Sequence, residues 1–167
     1  MAVGRATAPE RLRPVGRRLA LTLGALVGHT AFKGRPFIRA AHWLVMVGFL
    51  LGAMVWFEAY IQIFDPEGGW PIIGGWGLYH FVDELLGLGT VIGIITLIII
   101  RQKIGDKDKK ARFYGSNSGA AYFVEAVVLI EGLGMIFVKA SKIATFASYE
   151  GGHAATDFFT MQLAKIL

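Results

Sequence analysis

Apolar residues in this chain gather into long runs, and three of them are long enough to cross a bilayer. A hydrocarbon core of about 30 Å takes roughly 20 apolar residues in a helix. Residues 40–64 qualify, with Glu58 as their only strong charge, and so do 78–100, ending in IITLIII, and 119–146. A fourth run starts at Ala154 and stops at Leu167. It reads as a span begun and not finished, so the chain is expected to be a fragment. Leu19 to Phe32 is 14 residues, a length that suits an interfacial or re-entrant segment. Gly34 and Pro36 part it from the first span. The expected fold is all-α: a polytopic transmembrane bundle with three complete spans, the start of a fourth and an N-terminal interfacial helix. Residues 1–39 form a basic segment and 40–167 the transmembrane domain.

Composition agrees with this reading. Hydrophobic residues make up 54% of the 167 and charged residues 17%, where soluble domains carry about 25% charged residues. The net charge of +5 would suit nucleic acid in a soluble chain. Here the basic residues flank the apolar runs, so topology explains them and no nucleic-acid partner is expected. The chain has no cysteine. It therefore has no disulfide framework and no cysteine-held iron–sulfur cluster of its own. Cleavage near Gly28 would be conceivable for a signal peptide, but Lys33, Arg35 and Arg39 follow and favour a retained segment.

Orientation follows from Lys and Arg in short loops. Residues 1–40 hold eight of the seventeen, 101–112 hold six, and the loop FDPEGGWPIIGGWGLY (64–79) holds none. The basic side is expected to be cytoplasmic. Trp70, Trp76 and Tyr79 suit an outer aromatic belt, and Lys139 and Lys142 are expected to snorkel to the outer interface. Gly48 and Gly52 on the first span, and Gly89 and Gly93 on the second, form GxxxG pairs. These either let helices approach closely or reflect only how common glycine is in membrane helices.

Polar residues inside spans mark candidate chemistry. His29 either ligates or faces headgroups. His42, ahead of a long apolar helix, is the stronger ligand candidate. It cannot share an iron with His80, because most of the core separates them. Within this chain, His29 with His42, or His80 with His153, are the allowed pairs; a partner from a further helix is the other option. His80, Asp83, Glu84 and Gly87 share one helical face and form either a proton or quinone site or a hydrogen-bonded helix entry. The two carboxylates are expected to favour a cationic His80. His153 reads as a loop residue. Glu58, Glu125 and Glu131 could relay protons to a quinone or bond neighbouring helices. No phosphate loop, catalytic triad or zinc motif is present.

HTAFKGRPFIRAAHWLVMVG (29–48) and FYGSNSGAAYFVEAVVL (113–129) resemble the membrane domain that precedes certain heterodisulfide-reductase-related iron–sulfur oxidoreductases. That domain is of the nitrate reductase gamma-subunit type, and the likeness covers roughly 28–146. The resemblance implies a haem b membrane domain in a bacterial cytoplasmic membrane. It would pass electrons from a cytoplasmic iron–sulfur domain, or an electron-transfer flavoprotein, to menaquinone. His42 matches the early ligand position, with His29 as the second candidate. The two-haem pattern has another histidine three turns on, where this chain has Gly52, so one haem at most is expected. The last-helix histidine of such domains is not in this chain. The isolated chain is expected to be non-catalytic. The competing reading is a non-redox scaffold or transporter subunit whose histidines and carboxylates are structural.

Overall fold

A computed structural model describes residues 14–104, 117–149 and 151–167. The basic stretches 1–13 and 105–116, and with them part of the charge asymmetry, lie outside the described residues. The chain divides at Arg39/Ala40 into two compact units.

Up to Arg39, the first unit holds helix α1, Val15–Gly28, and a single 3-10 turn, Thr30–Phe32. Helix α1 ends where His29 takes a left-handed conformation, φ 45°. That position usually falls to glycine. The His29 Nδ1 is 2.7 Å from the Leu26 carbonyl, a bond inside the turn that helps offset the strain. Gly34, at φ 85°, ends the connection.

Three long helices follow: α2, Pro36–Gln62, α3, Gly77–Ile104, and α4, Ser118–Thr145. Each is long and apolar enough to cross a membrane. Helix α2 starts four residues before the apolar run does, because Pro36 fits the first helical position, where no N–H is needed. Asn117 caps α4, its side chain accepting from the Ala120 N–H at 3.2 Å. The segment after Ala154 is turns and a five-residue helix, α5, Thr160–Ala164. No helix there is long enough to span.

Within Ala40–Leu167 the usual inside–outside rule is reversed. Phe49, Leu50, Phe57, Tyr60, Phe123 and Ile130 are exposed, whereas Glu58, His80, Glu84, Glu125, Lys139, Lys142 and Asp157 are buried. Water would penalise that arrangement on both counts, and hydrocarbon favours it. This is a multi-pass membrane protein, and its apolar helix faces meet lipid.

Small residues set the helix crossings. A Cβ on Gly48 would strike the Thr90 side chain of α3, and one on Gly93 would stand 2.8 Å from the Ala41 carbonyl of α2. Thr90 also packs on Gly132 of α4, so α2 and α4 both close on α3 at its level. Gly52 and Gly89 have ordinary clearance. One glycine of each GxxxG pair is therefore an obligate contact. At the far end of α3, Arg101 pairs with Glu125 of α4 at 2.5 Å and lies 5.9 Å from the Tyr122 ring centre.

Candidate functional site

The first two turns of α3 present His80, Asp83 and Glu84, as their spacing requires. Lys139, from the last turns of α4, enters among them. Its ammonium is 2.6 Å from Asp157, 3.2 Å from Asp83 and 3.5 Å from Glu84, and it donates to the His80 carbonyl at 2.6 Å. The carboxylates hold Lys139, so it does not snorkel. The carboxylate nearest the His80 ring is Asp157, at 4.0 Å. The group in contact with all three acids is thus the Lys139 side chain, where the sequence suggested the imidazole. Neither nitrogen of the buried His80 ring has a hydrogen-bond partner among the described residues.

The chain after α4 folds back to close this cluster. Gly152, at φ 90°, makes the turn. The Gly152 and His153 N–H groups and the Thr156 hydroxyl all donate to one Asp157 oxygen, at 2.9, 3.1 and 2.8 Å. Burial raises the Asp157 pKa, but the Lys139 ammonium and these donors lower it by more, so it lies below the usual aspartate value. Glu84 accepts from the Phe159 and Thr160 N–H groups, at 2.7 and 2.8 Å, and from the Thr160 hydroxyl, at 2.6 Å. It thereby satisfies the orphan donors at the start of α5. Glu84 is thus bonded at both oxygens, and Asp157 at Oδ2, with its Oδ1 against the Lys139 ammonium.

A second layer comes from α2 and the α2–α3 loop. The Tyr79 hydroxyl donates to Glu58. Gly69 lies against the same carboxyl, with no room for a side chain. Lys142 donates to the Gly68 carbonyl at 3.4 Å and stands 4.4 Å over the Tyr149 ring. Tyr149 in turn meets the His80 ring edge-on at 5.6 Å. Burial first, then the surrounding carboxylates, raise the Tyr149 hydroxyl well above its ordinary pKa, so it stays protonated. The Trp70 indole donates to the Met54 carbonyl at 3.1 Å. Met54 is eight residues inside the end of α2, about 12 Å along the axis. The glycine-rich loop therefore dips back beside α2.

Four carboxyl groups, Glu58, Asp83, Glu84 and Asp157, thus face two ammonium groups, Lys139 and Lys142. Beside them a groove of about 240 Å³ runs between α2 and α4. Trp56, Met135 and Val138 form apolar walls, and Glu58, Asp83, Glu131, Lys142 and Tyr149 add polar groups.

The other candidates lie elsewhere. Glu125 is tied to Arg101, 18 residues beyond Asp83 on α3 and so roughly 27 Å from the cluster. His42 is exposed on α2. Its neighbour Ala41 is level with Gly93, 13 residues from His80, or about 20 Å. These two cannot share an iron. His153 is exposed and meets the cluster through its backbone, its N–H donating to Asp157 and its carbonyl accepting from the Asp157 N–H. His29 has its Nδ1 2.7 Å from the Leu26 carbonyl. Among the described residues no group of three His, Asp or Glu is placed to hold a metal ion.

Sequence reasoning missed Lys139, Lys142 and Asp157 as partners of the α3 acids. One signal was available: two lysines three residues apart in an apolar helix, facing an excess of acid at the same end of the bundle. Comparison with protein-family models, with curated proteins and with solved structures finds no match to this chain.

Proposed function

We propose that this chain is the membrane-embedded part of a quinone-linked electron-transfer system, with the α2–α4 groove as the place where the quinone head sits. The observation that carries the reading is the groove itself. Lipid-soluble redox carriers need apolar walls, entry from the membrane, and a few converging polar groups to fix the head. The groove joins Trp56 and Met135 to Asp83, Lys142 and Tyr149, and ionisable side chains at membrane depth commonly mark proton relays. The proposed orientation places the Arg101 end in the cytoplasm and the Lys139 cluster at the outer face of a bacterial cytoplasmic membrane. A cytoplasmic iron–sulfur or flavoprotein partner would supply the electrons, with menaquinone as acceptor.

The resemblance in sequence also implies haem b. His42 is the residue that the resemblance points to as ligand, with His29 as the second candidate, and when bound haem supplies one-electron transfer. The test is the visible spectrum of the membrane-extracted protein after dithionite reduction, with His42→Ala beside it. Sharp reduced bands lost in the variant, together with reduction of a menaquinone analogue by the chain joined to its redox partner, are the expected results. A featureless spectrum and no interaction with the analogue would overturn the reading.

A second reading, a non-redox membrane module, is favoured by one observation. Both oxygens of Glu84 are taken up in tying the 157–160 segment to α3, as a purely structural carboxylate would be. The same spectrum and quinone measurement separate the two.

A further inference from the structure

One buried acceptor on the groove wall is unmet, and it says which redox form of a quinone fits. Lys139 has three N–H donors, and the His80 carbonyl, Asp157 and Asp83 use them. Backbone and hydroxyl donors reach both oxygens of Glu84 and Oδ2 of Asp157, whose Oδ1 lies 2.6 Å from the Lys139 ammonium. Glu58 has the Tyr79 hydroxyl. Among the groove-lining acids Asp83 is the exception: one oxygen meets Lys139, and the other, Oδ1, is buried without a hydrogen-bond partner among the described residues. Asp83 lines the groove, as do Glu58 and Glu131. On the donor side the lining holds the Lys142 ammonium, directed to Gly68 and the Tyr149 ring, with the Tyr149 hydroxyl, the Trp56 indole and the Gln62 amide. Among the described lining residues the buried polar atom left without a hydrogen-bond partner is nonetheless an acceptor, Asp83 Oδ1, at a place where an unmet acceptor is costly. An oxidised quinone head presents only carbonyl acceptors. Its reduced form presents two hydroxyl donors.

We propose that the groove binds the hydroxylated, reduced head of a quinol in preference to the oxidised quinone, with Asp83 Oδ1 accepting a hydrogen bond from a ligand hydroxyl. This rests on the groove being a quinone site and adds its redox preference and the residue that sets it. Lys139 fixes the other Asp83 oxygen, so the acceptor is held in place before the ligand arrives. Trp56 and Met135 then cover the ring faces.

The experiment uses the full chain in nanodiscs under anaerobic conditions, titrated calorimetrically with menadione and with menadiol. Menadiol is expected to bind at least about tenfold more tightly, which for a two-electron couple raises the midpoint potential of the bound form by about 30 mV. Equal binding, or tighter binding of menadione, overturns the preference and leaves the quinone reading standing. Binding of neither overturns both. Asp83→Asn puts an amide donor in reach of the ligand, and its ratio is expected to fall towards one. An unchanged ratio in a variant with unchanged helix content removes Asp83 from the role. The wild-type ratio and potential stand as tests even where that variant does not fold.

Discussion

Lys139 and Asp157 meet at 2.6 Å, and with this pair α4 reaches past its own end to hold the returning segment against α3. Asp157 is fully buried and Lys139 is 4% exposed. Removing one member of such a pair leaves an uncompensated charge in a poor solvent, at a cost of about 3–5 kcal/mol. Lys139→Leu is therefore expected to lose about 3 kcal/mol in reversible unfolding from mixed micelles. Adding Asp157→Asn should restore part of that loss. A single-variant cost within about 0.5 kcal/mol of zero would contradict the pairing.

Acid should release the same segment. The folded Asp157 pKa is depressed, so its contribution to stability is fully present above the ordinary aspartate value of about 3.9. It is lost as pH falls through the lower folded value. The thermal midpoint of the wild type should drop more steeply below about pH 4 than that of Asp157→Asn, while the two change in parallel near neutrality. Parallel curves throughout would show that the carboxylate is not stabilised by its folded partners.

Glycine substitutions should separate contact from composition. Gly93→Ala places a methyl 2.8 Å from the Ala41 backbone carbonyl, which cannot rotate away, so α2 and α3 must part. A loss of about 1–3 kcal/mol, the range for overpacking, is expected. Gly134 has open space where its Cβ would be. Gly134→Ala should be neutral or stabilising by up to about 1 kcal/mol through helix propensity. The readout is the same unfolding assay, and similar effects at the two sites would reject the assigned crossing.

Orientation can be read by labelling. Glu67 and Lys103 are both exposed and sit at opposite ends of α3's flanks. Since the chain has no cysteine, single Glu67→Cys and Lys103→Cys variants report without background. An impermeant maleimide added to intact cells should modify the first and spare the second. The reverse pattern would invert the proposed topology.

The three spans were legible because a bilayer demands long apolar runs and little else in a sequence satisfies that demand. Their ends shifted by a few residues where local chemistry ruled, as with Pro36 at the start of α2. The polar cluster was half legible. Helical spacing put His80, Asp83 and Glu84 on one side, because that is a property of a single helix. Asp157 and Lys139 come from elsewhere in the chain, and their meeting depends on the turn at Gly152, which no periodicity marks. Glu125 looked much like Glu84 as a carboxyl in a span. What separates them is the partner, Arg101 for one and the start of α5 for the other, and a partner is a fact of packing.

The placement of charge along α3 has an electrical meaning. Asp83 and Arg101 are about 27 Å apart, close to the full depth of the hydrocarbon. A charge carried from one end to the other would cross nearly the whole transmembrane potential, about 2.3 kcal/mol for each 100 mV. A proton passed between the Asp83 end and the water beside it would cross very little. Electrons delivered from the Arg101 side and protons exchanged on the Asp83 side would therefore make turnover electrogenic, and its rate would respond to membrane voltage.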